Sequence, residues 1–379
     1  MKNIFINERD HLKWNKQREY ISHLDIIDVE TKSKAINALS FLEQELGTQF
    51  LKTTSLNHPI RQMISNKTVY QVKDLIEFTD TLQILKKENN NYDRIIQKLI
   101  SKNEAKIEGI SLVEVARMFL KEGLIISFID EVKNAKSPDV KIINPNNMDF
   151  FYIEITKLNN SDNQNHLRDN YNFFHEQFNN VQPLFSFYGK QLKTIDKEEY
   201  PEIREIITNA KKKVKENHQI IYYSDNRFNF LLAPPDYDKE FNKICDKNNI
   251  RAINFSGLPI NLDETSRINN KISKAYQIPE DKNGILFIAI SPTFFMTTDL
   301  LAAIERLEAN ISKHTNLIGM ILYSEIVASK ESAILKIGNH CFSRKIIENL
   351  CKESLFIYNK NCNINLSDET IHKIYNSLT

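Results

Sequence analysis

The residues whose types and spacing could do chemistry are two acids, Asp139 and Glu154, each set in a short apolar run. Asp139 precedes Val140-Lys141-Ile142-Ile143, and Glu154 lies within Phe150-Phe151-Tyr152-Ile153-Glu154-Ile155-Thr156-Lys157-Leu158. Between them Asn144-Pro145-Asn146-Asn147 is a turn signal, so the stretch reads as a hairpin. Side chains alternate faces along a strand. Asp139, Lys141 and Ile143 then share one face of the first strand, and Val140 and Ile142 the other. On the second strand Tyr152, Glu154 and Thr156 oppose Phe151, Ile153 and Ile155. Pairing the strands can bring Asp139 and Glu154 together on one side of a sheet. Adjacent carboxylates repel unless a proton or a cation stands between them, and a hard, oxygen-seeking ion such as Mg2+ or Mn2+ suits that setting.

The flanking stretches would position this hairpin. Ser111 to Gly123 reads as a helix with a glycine cap, its apolar face made by Val113, Ala116, Phe119 and Leu120. Ser111 and Glu114 form a capping-box pattern at its start, and Leu124 to Ile129 reads as a strand. The helix is expected to pack on the sheet that carries both acids.

With Pro138-Asp139 and the later Glu154-Ile155-Thr156, this order of elements resembles the metal-binding core of the PD-(D/E)XK, or restriction-endonuclease-like, nuclease superfamily. The resemblance covers about a third of the chain tightly. It implies an α/β (α+β) fold with a mixed central sheet flanked by helices. It also implies a metal held by Asp139, Glu154 and the carbonyl of Ile155, and a Mg2+-dependent endonuclease that hydrolyses phosphodiester bonds of nucleic acid, DNA ahead of RNA, of a bacterial defence or restriction kind. The family also carries an acid on the preceding helix, for which Glu114 is the candidate and Glu108 a weaker one; a cap is the plain alternative for Glu114.

One departure matters. The motif expects lysine two residues after Glu154, and Thr156 stands there. A bulge could re-aim Lys157, Lys141 could serve from the neighbouring strand, or the site has lost its lysine. The last case leaves a catalytically inactive nucleic-acid-binding or scaffolding protein.

Composition sets the outer bounds. The 379 residues suffice for two or three domains, and 26% charged with 41% hydrophobic residues is ordinary for a globular chain. Lys and Arg number 50 against 49 Asp and Glu, so any nucleic-acid surface must be a local patch. Ile285 to Ile290, the longest clean apolar run, is far short of the ~20 residues that span a bilayer. The first residues turn charged too soon for a signal peptide, and four cysteines without CxxC spacing suit a reducing compartment without structural zinc. The expectation is a cytoplasmic protein with no membrane partner. Only eight glycines are present, and no GxGxxG, phosphate-binding GKS loop, HExxH or GxSxG occurs. ATPase, dehydrogenase, zinc-protease and serine-hydrolase readings therefore have nothing to rest on.

The remaining chain divides by pattern. Residues 1–107 read as helical, with stripes Ala35, Leu39, Leu42, Leu46 and Leu75, Phe78, Leu82, Leu85. Such a region could carry a homodimer contact or a protein partner, or simply extend the fold. Residues 108–158 and 263–330 read as the nuclease-like core, 159–262 as an inserted subdomain and 331–379 as a C-terminal extension. Within the insertion, Asn159 to His166 reads as a polar loop or lid. The aromatics from Tyr171 to Tyr188 could stack bases or pack a core. Lys211, Lys212, Lys213 and Lys215 form the best local phosphate-contacting patch, or simply meet a helix dipole. Lys274 and Gln277 sit on a helix before the buried strand Gly284 to Ile290. The extension is expected to hold a short helix around Arg344 to Lys352, a strand at Leu355 to Tyr358 and a final helix.

Overall fold

The computed structural model describes residues 12–55, 58–88, 91–102, 105–130, 137–158, 162–179, 185–234, 238–247, 255–258, 264–327, 331–363 and 366–378. The chain forms two compact units, residues 1–159 with 264–379, and residues 160–263. The first unit opens with α1 (Trp14–Ser22), α2 (Val29–Leu46), α3 (Phe50–Thr53), α4 (Pro59–Ser65), α5 (Val69–Glu88), α6 (Tyr92–Leu99) and α7 (Ala105–Leu120). Their apolar stripes are buried as the helical spacing predicts: Ala35, Leu39 and Leu42 in α2, and Leu75, Phe78 and Leu82 in α5. Asp28 caps α2, accepting the Thr31 N–H at 2.8 Å.

The α7 helix starts earlier than the capping-box pattern suggests. Ser111 lies inside it and donates its hydroxyl to the Ile107 carbonyl at 3.1 Å. A serine can satisfy itself one turn back in this way, so the pattern does not force a helix end. After α7 come β1 (Ile125–Phe128), β2 (Val140–Ile143) and β3 (Phe150–Lys157), an antiparallel meander.

The second unit contains α8 (Asp162–Asn179), β4 (Ser186–Gln191), α9 (Tyr200–Asn217), β5 (Ile221–Ser224), β6 (Phe228–Ala233), α10 (Asp238–Lys247) and β7 (Phe255–Ser256). Its sheet runs β5-β6-β4-β7. The expected loop at Asn159 to His166 is therefore helix from Asp162 onward, and residues 159–161 lie outside the described residues. Leu167, Phe174 and Phe178 are buried along one face of α8, and that packing outweighs the low helix propensity of the asparagines before them.

The first unit resumes with α11 (Glu264–Ile272), a 3-10 turn at Ser273–Gln277, β8 (Gly284–Ala289), α12 (Thr293–Thr297), α13 (Leu300–Ile311) and β9 (Leu317–Val327). It closes with β10 (Ala333–Ile337), β11 (His340–Ile347), β12 (Leu350–Tyr358) and α14 (Asp368–Ser377). The short helix expected at Arg344 to Lys352 is instead a hairpin, paired from Cys341↔Phe356 to Ile347↔Leu350. Glu348, at φ 56°, sits in its two-residue turn. Apolar residues on both sides of a two-residue turn resemble a helical stripe, and pairing of β12 with β9 decides between them.

These strands make one mixed sheet, ordered β1-β2-β3-β8-β9-β12-β11-β10, in which β3, β8 and β9 run parallel and the other neighbours antiparallel. One face sets Ile153, Phe287, Ile321 and Phe356 against α7 and the earlier helices. Phe119 of α7 meets Phe151 of β3 ring to ring at 5.7 Å, so the helix does pack on this sheet. The other face sets Leu286, Ile288, Met320 and Leu322 against α11 and α13. Strands covered on both faces read as unbroken apolar runs, which accounts for Gly284 to Ile290.

Gly319 of β9 is the tightest point of the β9–β12 pair. A Cβ there would lie 2.5 Å from the Ile357 carbonyl oxygen and 2.6 Å from the Phe356 ring. Backbone in a central strand cannot yield, so Gly319→Ala is expected to lower unfolding stability by about 1–3 kcal/mol. Urea unfolding followed by fluorescence of Trp14, the only tryptophan and a buried residue of the first unit, reads this out. An unchanged midpoint would contradict it.

Candidate functional site

The hairpin register runs from Ile143↔Phe150 to Val140↔Ile153. The pairing ends there, and Asp139 stands in a bend just before β2. Continued by two residues, the same register would set Asp139 opposite Glu154, on one face, and Pro138 opposite Ile155. Proline has no N–H, so the ladder cannot continue beyond Asp139. Ile155 instead donates its N–H to Asp139 Oδ2 at 2.9 Å. The carbonyl of Ile155 points toward the same edge, because N–H and C=O of one strand residue project to one side, and Pro138 offers it no donor. Glu154 is 7% exposed. Gln277 of the 3-10 turn accepts the Ser137 N–H at 3.4 Å, tying the turn before β8 to the segment that delivers Asp139.

The lysines fall elsewhere. β3 stays in continuous register with β8 from Tyr152↔Gly284 to Lys157↔Ala289. No bulge interrupts it, so Lys157 projects to the face opposite Glu154 and is exposed. Lys141 does share the Asp139 face, but its ammonium lies over the Phe150 ring, 4.2 Å from the centroid. Phe150 is about 13 Å along the strand from Glu154. Lys141 is thus engaged with Phe150, and Lys157 leaves β3 on the face opposite Glu154.

Glu114 belongs to a different cluster, on the α7 face of the sheet. It is buried, pairs with Arg117 of its own helix, and accepts from the Tyr323 hydroxyl at 3.0 Å. Arg117 also binds Asp74 of α5 at 2.9 Å. Lys352 of β12 reaches Asp74 at 2.6 Å and Glu325 of β9 at 3.0 Å. Sequence reasoning missed Asp74, Arg117, Tyr323 and Lys352, because no local spacing links them. Glu108 pairs with Lys98 on the neighbouring helix.

The proton inventory of this cluster is tight. Tyr323 also lies 2.5 Å from Glu325, yet a phenol has one proton to give. A protonated Glu325 resolves the conflict by donating to Tyr323, which then donates to Glu114. Burial, then the charges of Glu114 and Asp74, push the Glu325 carboxyl up to about 8. Burial and the Glu114 charge raise Asp74 as well.

The second unit turns its aromatics inward. Phe174 stacks on Phe255 at 4.3 Å, and Phe173 on Tyr200 at 4.0 Å. Phe178 stacks on Phe187 at 4.9 Å. These rings form a core, whereas Tyr171 is exposed and stacks on His175 at 5.8 Å. Lys211 is buried and donates to the carbonyls of Gln177 and Phe178 at the C-terminal end of α8, a capping role. Lys212 pairs with Glu216 at 3.8 Å, and Lys213 and Lys215 are exposed. Among the described residues no group of three or more His, Cys, Asp or Glu is arranged to hold a metal. No family model, curated protein or solved structure matches the chain.

Glu325 supplies a pH signature. Its folded value lies above the ordinary 4.5, so the folded protein keeps a proton that the unfolded chain releases. Stability from this source is complete below pH 4.5 and is lost as pH rises through about 8. The side chain is 35% exposed, and solvent tempers the effect. Glu325→Gln is expected to flatten the fall in urea midpoint between about pH 5.5 and pH 8.5. An equally steep fall in the variant would remove Glu325 as the source.

Proposed function

We propose that the chain is a Mg2+- or Mn2+-dependent phosphodiesterase of the restriction-endonuclease-like kind, cleaving nucleic acid, DNA ahead of RNA. The observation that carries this is the end of the β2–β3 ladder. Pro138 withholds a donor there, leaving the Asp139 and Glu154 carboxylates and the Ile155 carbonyl directed to one edge. Three oxygen donors of this type fit a hard divalent ion. When bound, the ion would supply Lewis-acid stabilisation of a scissile phosphate and an acidified water. The Ile155 N–H holds the Asp139 carboxylate in orientation. Thr156, on the Glu154 face, can offer a hydroxyl where the superfamily motif has an ammonium.

The meander, the helix before it and the parallel strand after α11 follow the order the resemblance implies. Among the described residues no helix is long and apolar enough to cross a membrane, and the four cysteines are free thiols, which accords with a reducing, cytoplasmic setting. The exposed Lys212, Lys213 and Lys215 are the remaining candidates for phosphate contact, and the N-terminal helices for a homodimer or protein partner.

A second reading has its own support. The Lys141 ammonium lies over Phe150 and Lys157 leaves β3 on the face opposite Glu154, which favours a non-catalytic nucleic-acid-binding or scaffolding protein. Two measurements separate the readings: Mn2+ titration by calorimetry, and cleavage of plasmid DNA and of RNA with Mg2+ or Mn2+. For the nuclease, Asp139→Ala and Glu154→Ala should each abolish Mn2+ binding and cut cleavage by about 100-fold or more. Mn2+ binding without cleavage of either substrate would select the non-catalytic reading. Wild-type protein that binds no Mn2+ would end the metal-site reading altogether.

A further inference from the structure

On the α7 face of the large sheet, beside the Glu114 cluster, opens a cavity of about 390 Å3. Its floor is the β11–β12 pair. The register sets Lys345 opposite Lys352 and Ser343 opposite Ser354, so two lysines and two serines form adjacent pairs on one face. Directly opposed like charges destabilise a sheet unless they are compensated. Lys352 is compensated by Asp74 at 2.6 Å, with Glu114 at 3.5 Å. Lys345 makes no ion pair with any described residue.

A third ammonium joins it. Lys121, just past the end of α7, lines the same cavity and interacts with Lys345. Burial, then its contact with Lys345, lowers the Lys121 pKa to about 8. Of the acids that line the cavity, Glu114 pairs with Arg117, Glu77 lies 3.6 Å from Arg117 and also attracts Lys121, and Glu122 stands next to Lys121 in the chain. Ser343 is buried, and its hydroxyl makes no hydrogen bond to a described residue. The Ser354 hydroxyl donates to the Leu378 carbonyl at 3.3 Å. Lys121, Lys345 and the buried Ser343 thus line one cavity, and neither lysine makes an ion pair with a described residue, although Glu77 attracts Lys121.

We propose that this cavity binds a small phosphate monoester, its phosphate held by Lys121, Lys345 and Ser343. A doubly charged tetrahedral group accepts from several donors at once and relieves the repulsion between the lysines. The volume exceeds that of phosphate alone and falls in the range of small-molecule sites, leaving room for an organic part against Met118 and Tyr323. The site lies on the opposite face of the sheet from Asp139 and Glu154 and does not depend on the nuclease reading.

The test is calorimetric titration of the full chain, in chelator and at constant ionic strength. The probes are inorganic phosphate, glycerol 3-phosphate and a nucleoside 5′-monophosphate, with acetate as the carboxylate arm. Saturable binding of at least one monoester, tighter than inorganic phosphate and absent for acetate, is expected. Lys121→Met and Lys345→Met should each weaken it by about 10-fold to 100-fold, the loss of one charge-assisted hydrogen bond. Ser343→Ala should weaken it less, and circular dichroism should show each variant folded. No saturable binding of any phosphate probe would overturn the proposal. So would acetate binding as tightly as the monoesters, undiminished binding in the double lysine variant, or loss of binding in Glu154→Ala.

Discussion

The central strands of the large sheet are covered by helices on both faces, and a charge buried there must find its answer within a few ångströms. On the α7 face this is met by two cations and two anions in close array. Arg117 and Lys352 are both buried and meet Asp74 and Glu114, with Asp74 shared between them. Removing any one would strand a buried charge, which costs more than the pair itself contributes. The cluster also joins α5, α7, β9 and β12, elements far apart in the chain, so its electrostatics enforces one arrangement of the N-terminal helices on the sheet.

The carboxylate pair of β2 and β3 is answered differently. Glu154 faces the α11 side of the sheet, where its strand neighbour on β8 is Leu286. The Ile155 N–H binds Asp139 where Pro138 ends the ladder. A residue type without an N–H thereby shapes local chemistry through what it cannot do. Rigid elements frame the place on three sides: the meander itself, the parallel strand β8, and the 3-10 turn whose Gln277 accepts from Ser137. A site built on strands keeps its geometry better than one built on loops.

The inserted unit leaves the chain after β3 and returns before α11, and it spends its aromatic residues on its own core. Asn170 shows how completely its polar groups are used. Fully buried, it donates to Ile195 O and the Tyr200 hydroxyl and accepts from Gln191 and the Ile195 N–H. Such a satisfied hub rigidifies a small unit.

The sequence by itself determined the alternation of β2 and β3. It also determined the apolar stripes of α2, α5 and α7, and the buried strand β8. These depend on periods of 2 and 3.6 residues and on proline and asparagine in a turn, all of which act within a few residues. Only the tertiary structure decided the rest. Arg344 to Lys352 became a hairpin because β9 supplied a partner strand. Ser111 lay inside its helix because the apolar packing of α7 began earlier. Lys141 went to the Phe150 ring and Lys211 to the carbonyls closing α8, because a long flexible side chain is placed by what it meets in space. Glu114 found Arg117, Tyr323 and Lys352 for the same reason: electrostatic partners are chosen by distance through space, and distance through space is not written in local spacing.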